Sequence, residues 1–164
     1  MLDALETLSG LNWSWDVIGD ADLNTDFAQK FCARAARSPV GDRIAFRGPL
    51  PPSEVIAAYD RADIFALPSR FETCSMATME AMARALPVAA FRVGGLPDLL
   101  PEASLRVLAE PGDLAGWKEL LRRLITNHVE RGLLGEANRC AAQRFQSWDD
   151  CGPAMQRFLE RILR

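Results

Sequence analysis

Short apolar runs alternate with helix-patterned runs through the first two thirds of this chain, and that alternation limits its fold more than any other feature. The apolar runs are Asp16 to Ile18, Arg43 to Arg47, Asp63 to Leu67, Val88 to Arg92 and Leu105 to Leu108. Each is brief and mostly apolar, as expected of strands covered on both faces. Between them lie helical stretches from Leu2 to Leu8, Asp26 to Ala36, Ser53 to Arg61 and Cys74 to Ala85. Their apolar residues recur at helical spacing, as in Leu2, Leu5 and Leu8. Alternating β and α units predict an α/β fold with a doubly wound, Rossmann-like parallel sheet. After Asp113 the pattern is helical throughout. Asp113 suits the N-cap of a helix from Leu114 to Ile125, with further helices from about Val129 to Phe145 and Asp149 to Leu163. Trp117, Leu120, Leu121 and Leu124 are expected to pack on the sheet. The reading is one domain over residues 1–164, alternating over 1–112 and helical over 113–164.

With 164 residues, 49% of them hydrophobic and 25% charged, the chain has enough apolar surface for one core. The longest apolar run, Ala85 to Phe91, falls far short of the roughly 20 residues a membrane span needs. The N-terminus lacks the basic and apolar regions of a secretory signal. A net charge of −3 argues against nucleic acid as a partner. Cys32, Cys74, Cys140 and Cys151 form no CxxC pair, and His128 is the only histidine. A zinc, redox or His-based metal site is therefore not expected, and His128 reads as a helix-junction surface residue. The thiols are expected to be reduced and the chain cytoplasmic.

The strands end near Gly19, Gly48, Pro68, Gly94 and Pro111. Ligands of open α/β sheets bind beyond the carboxyl ends of the strands, where small turn residues let backbone approach. The most informative stretch, Pro68 to Leu100, lies there. From Thr73 to Ala83 the one charged residue is Glu80, among Met76, Ala77, Met79, Ala81, Met82 and Ala83. A helix apolar on every side is a buried helix. Its carboxylate then needs either an arginine or a ligand's hydroxyls, because an unpaired buried charge is costly. The turn before it carries Glu72, Thr73, Cys74 and Ser75. Free N–H groups at the mouth of such a helix suit a diphosphate. With the helix beginning near Cys74, Glu72 and Glu80 stand about 10 Å apart along its axis. That gap is too wide for an acid/base pair on one bond and suits the two ends of an extended ligand.

Seven residues separate Glu72 from Glu80, and the segment resembles the E-x7-E signature of retaining glycosyltransferases with two Rossmann domains (GT-B), most closely family 4, or group 1. The likeness runs along most of the chain. Trp15-Asp16-Val17-Ile18-Gly19-Asp20 resembles the family's VGDG strand, and Ile44-Ala45-Phe46-Arg47-Gly48 its V-x-F-x-G strand. Tyr59 to Ser69 is similar to Y-x-x-A-D-I-F-V-L-P-S. Glu80-Ala81-Met82-Ala83 with Pro87-Val88 matches EAMA-x-G-x-PV, and Gly94-Gly95-Leu96-Pro97-Asp98 resembles GG-x-x-E.

The resemblance implies the C-terminal, donor-binding domain of an enzyme that moves a hexosyl group from a nucleoside diphosphate sugar to an acceptor hydroxyl. Glu72, as the catalytic-site carboxylate, would contact the transferred sugar, and Glu80 the ribose hydroxyls. The amides of Cys74, Ser75 and Met76, next to Thr73, would cradle the diphosphate, and the turn from Gly48 to Leu50 would lie near the base. No cofactor or metal is implied. Thr73 and Ser75 replace the family's usual glycines, Ala85 replaces a glycine at the helix end, and Asp98 stands for glutamate. Pro51 and Pro52 follow Leu50 with no acidic group beside them to pair with guanine, which favours UDP or ADP over GDP. The family's first strand, with its diphosphate-gripping arginine and lysine, and its acceptor-binding N-terminal domain do not appear in the sequence. The expectations are a fragment inactive alone, self-association through an open sheet edge, and any membrane association made through the absent half. The alternatives are a non-catalytic binding or assembly module and a sugar-nucleotide epimerase. A dinucleotide oxidoreductase is disfavoured, since GxGxxG is absent.

Overall fold

Strand β1 (Trp15–Ile18) turns Trp15 and Val17 inward and Asp16 and Ile18 outward, the two-residue period of a pleated strand. These are findings from a computed structural model that describes residues 1–20, 25–145 and 148–163. β1 is preceded by α1 (Leu2–Thr7) and pairs in parallel with β2 (Ile44–Gly48), reached through α2 (Thr25–Ala36) and a 3-10 turn at Gly41–Arg43. Parallel partners need such a crossover. Leu2, Ala35, Val40 and Ile44 form the core on this side, with Trp13, Trp15, Val17 and Phe31 packed against it. Helix α3 (Pro52–Arg61) leads to β3 (Phe65–Leu67), and α4 (Met76–Ala83) carries the chain to β4 (Val88–Ala90), again parallel to its partner.

β4 is covered on both faces, as its unbroken apolar run required. Ala89 faces a cluster built from Ala4 and Leu5 of α1 and from Trp117, Leu120, Leu121 and Leu124 of α7 (Leu114–Thr126). Val88 and Ala90 face Met82, Leu96, Leu100 and Leu108. The expected packing of the α7 residues therefore holds. So does the cap: Asp113 accepts a hydrogen bond from the Gly116 N–H at 2.9 Å. Helix α8 (His128–Ala142) lies against α4. Its Gly135 is required there, because a Cβ would come 2.1 Å from the Ala85 carbonyl oxygen. Buried Asn138 of α8 donates to Leu86 O at 2.8 Å and accepts from the Ser104 hydroxyl at 2.7 Å. The tail ends in α9 (Trp148–Ile162); Arg164, in the expected helical tail, lies outside the described residues.

The expected α/β fold with parallel strands is present, and one expected strand is corrected. The doubly wound α/β arrangement is present as two parallel pairs, β1–β2 and β3–β4, and not as one continuous ladder. Among the described residues β1 and β3 carry no ladder partner on their second edges. The fifth strand, Leu105 to Leu108, does not form. Pro101 instead starts a short helix, α6 (Glu102–Leu105), just after α5 (Leu96–Leu99). Strand-like bonding is confined to the bridge between Phe91 and Ala109, where Arg92 N–H donates to Ala109 O at 2.8 Å.

Candidate donor site

The loop over residues 68–75 leaves the carboxyl end of β3 and opens α4, and it carries Glu72, Thr73, Cys74 and Ser75. Ser75 is the N-cap. Its buried hydroxyl accepts from the Thr78 N–H at 3.3 Å and from the Thr78 hydroxyl at 2.8 Å. The helix thus begins at Met76, two residues later than the sequence suggests, because the Ser75 side chain caps it by accepting from Thr78. Glu72 consequently lies outside the helix, and the 10 Å spacing along a shared axis does not describe it. Among the described residues the N–H groups of Cys74, Ser75 and Met76 have no hydrogen-bond acceptor. These are the three amides predicted from the sequence, at the positive end of α4.

A second loop, after β4, backs the first. Gly95 N–H donates to the Glu72 carbonyl at 3.2 Å. A Cβ on Gly94 would lie 1.6 Å from Glu72 O, and one on Gly95 would lie 2.3 Å from Thr73 O. Gly94 also has φ +50, a region that favours glycine. Two glycines therefore let the loops touch backbone to backbone, which the sequence showed only as a motif. The Glu72 side chain is half-buried, and its carboxylate has no partner among the described residues.

Glu80 is exposed, which corrects the expectation of a helix buried all round. Thr78, Ala81 and Met82 are buried, while Met76 is 58% exposed. Among the described residues no arginine pairs with Glu80. Its Oε2 accepts a hydrogen bond from the Tyr59 hydroxyl at 3.1 Å; that hydroxyl is 3.3 Å from Ala77 O. Burial, then the charge of Glu80 and the hydrogen bond to it, push the Tyr59 phenol up to about 12. In the sequence Tyr59 stands out only as the first residue of the run Tyr59 to Ser69.

Gly48 and Leu50 lie at the carboxyl end of β2. Gly48 adopts φ +67, and its carbonyl accepts from the Gly19 N–H at 3.0 Å, joining the ends of β1 and β2. A pocket of about 270 Å³ opens there, lined by Ile18, Leu50, Glu54, Arg61 and the ion pair of Asp16 with Arg47 at 3.1 Å. Pro51 and Pro52 put no acid directly beside Leu50, but the fold brings Asp16 of β1 and Glu54 of the first turn of α3 to the same pocket. The two sites are joined by α3, which starts beside the pocket and about two turns later presents Tyr59 to Glu80. His128 is exposed at the first turn of α8.

The sequence matches the family described as Glycosyl transferases group 1 over residues 1–127. The chain belongs to this family. It is 33% identical over 131 residues to sulfoquinovosyl transferase SQD2 of Arabidopsis thaliana, covering 78% of this chain and 24% of that protein. It is 39% identical over 109 residues to D-inositol 3-phosphate glycosyltransferase of Corynebacterium efficiens, covering 66% of this chain and 26% of that protein. The chain thus spans about a quarter of the length of these curated relatives. Its fold superposes on sucrose-phosphate synthase from Thermosynechococcus elongatus with a TM-score of 0.83 at 21% identity, covering 99% of this chain and 41% of that one. Anabaena Alr3699/HepE, solved in complex with UDP-glucose, superposes with a TM-score of 0.79 at 21% identity, over 98% and 43%. These two likenesses show a shared fold. Among the described residues no helix is long and apolar enough to cross a membrane.

Proposed function

We propose that this chain is the donor-binding domain of a retaining glycosyltransferase that moves a hexosyl group from a nucleoside diphosphate sugar to an acceptor hydroxyl. The observation that carries it is the unpartnered amide row at Cys74, Ser75 and Met76, flanked by the carboxylates of Glu72 and Glu80, at the carboxyl end of a parallel strand. In this reading the amides hold the diphosphate and stabilise the charge that develops as it departs. Glu72 takes the transferred sugar and Glu80 the ribose. The turn from Gly48 to Leu50 borders the base. No cofactor is required.

UDP is the preferred nucleotide in this proposal, supported by the UDP and UDP-glucose complexes of the structural relative HepE. Asp16 and Glu54 remove the sequence argument against guanine, so the choice of base rests on that support alone. The acceptor is assigned to a second domain, because relatives are about four times as long as the matched region. Membrane association, where it occurs, is placed in that domain too, and the chain by itself is expected to be inactive. The exposed thiols of Cys32, Cys74 and Cys140 suit the cytoplasm. The open edges of β1 and β3 are proposed to drive self-association, to be read by sedimentation.

Calorimetric titration with UDP, ADP, GDP and NAD tests the proposal. Saturable binding of a nucleoside diphosphate in preference to NAD is the expected result. Binding of none of the four would overturn it. A non-catalytic module on this fold gains support only if nucleotide binding is retained and the longer protein transfers no sugar.

A further inference from the structure

Helix α3 is held against α4 by polar ties and not by a buried face, and this gives Tyr59 a role. No residue of α3 is buried. Tyr59 sits half-buried, edge-on to Phe65 with ring centroids 6.0 Å apart, and reaches Glu80 Oε2 at 3.1 Å. One helical position later, Asp60 pairs with Arg84 at the end of α4 at 2.9 Å. The phenol has one proton, and the shorter of its two contacts is to the carboxylate. Glu80 is otherwise an exposed side chain with several rotatable bonds and, among the described residues, no cation paired with it. A hydrogen bond from a half-buried phenol fixes one of its oxygens, and among the described residues Oε1 has no partner.

Resting on the donor-site reading above, we infer that Tyr59 is a positioning residue that orients Glu80 toward the ribose hydroxyls and so sets the discrimination between ribose and sugars lacking those hydroxyls. An oriented carboxylate loses less rotamer entropy when it accepts from two adjacent hydroxyls. A carboxylate free to rotate gives up part of that gain. The effect belongs to the hydroxyl of Tyr59; its ring supplies packing against Phe65.

The test compares UDP with 2′,3′-dideoxy-UDP on the 164-residue chain, for wild type, Tyr59→Phe, Glu80→Ala and the double variant. Phenylalanine keeps the ring, so the fold is retained, and a thermal melt confirms it. Wild type is expected to prefer UDP. Tyr59→Phe should weaken UDP about three- to ten-fold, the range of one lost hydrogen bond, and leave dideoxy-UDP unchanged. In the Glu80→Ala background Tyr59→Phe should change neither affinity, since its effect runs through that carboxylate. A merely structural tyrosine would shift both nucleotides alike in both backgrounds, and that result overturns the inference. So does an undiminished preference for UDP in Tyr59→Phe when Glu80→Ala abolishes it; the donor-site reading then survives alone. A wild type that binds neither nucleotide, or a preference that Glu80→Ala leaves intact, overturns the donor-site assignment of Glu80 and this inference with it.

Discussion

Gly94 lies directly against the backbone of Glu72: a methyl group added to it would stand 1.6 Å from the Glu72 carbonyl oxygen. Gly95, the next residue, donates to that same oxygen at 3.2 Å. The position of Glu72 is thus fixed from behind by a loop that begins after a different strand. Gly94→Ala forces either a backbone shift or loss of this contact, and it places alanine at φ +50. The expected cost is about 2 kcal/mol or more in a thermal or denaturant melt. The surviving folded fraction should bind a nucleotide sugar more weakly than wild type.

Tyr59 is the only tyrosine of the chain, so phenolate absorbance reports it alone. Its ionisation should lie near 12, raised first by burial and then by Glu80. The sign follows from the raised value. Stability that depends on the neutral phenol is complete below about pH 10, the unfolded value, and is lost as pH rises through about 12. Glu80→Gln removes the charge and should move the transition toward 10 while leaving the contribution of burial. An onset at the same pH in both proteins would contradict the Tyr59–Glu80 contact.

Ala85 carries φ +58 just after α4, where a side chain crowds the preceding turn. Ala85→Gly relieves that strain and is expected to stabilise the chain by about 1 kcal/mol, with a Tm rise of roughly 2–4 °C. A lowered Tm would show that the crowding is absent.

Asn138 closes a buried polar chain from Ser104 to the Leu86 carbonyl. Asn138→Ala strands both partners at the junction of α6, α8 and the entry to β4. A loss of about 3 kcal/mol in urea unfolding is expected. A loss below about 1 kcal/mol would mean that water reaches the site.

Much of the architecture was legible in the sequence because its signals are local. The β1–β4 runs and the helices of the tail were found by apolar period, and Asp113 by its capping chemistry. The errors have physical causes. Leu105 to Leu108 is apolar like a strand, but Pro101 and Glu102 start a helical turn that consumes its first residue. The start of α4 depends on the Ser75 hydroxyl accepting from both the N–H and the hydroxyl of Thr78, which apolar period does not report. In sequence Glu80 reads as buried because its neighbours are apolar, while its exposure depends on what covers the helix. Glu72, Glu80 and the amides were named from the resemblance to the E-x7-E signature. Tyr59 was not, since its bond to Glu80 joins residues 21 apart through the packing of two helices. Asp16 escaped for the same reason, reaching the Leu50 pocket from β1, whereas Glu54 stands only four residues after Leu50 and reaches the pocket from the first turn of α3.

The central claim is that Glu72 and Glu80 read opposite ends of one donor, and a two-ligand titration tests it most directly. UDP and UDP-glucose are titrated against wild type, Glu72→Ala and Glu80→Ala. Glu80→Ala should weaken both ligands about ten- to hundred-fold, the range for hydrogen bonds to a charged group. Glu72→Ala should leave UDP unchanged and erase whatever affinity the glucose adds. Equal weakening of both ligands by the two variants, or no effect of either, would contradict the claim.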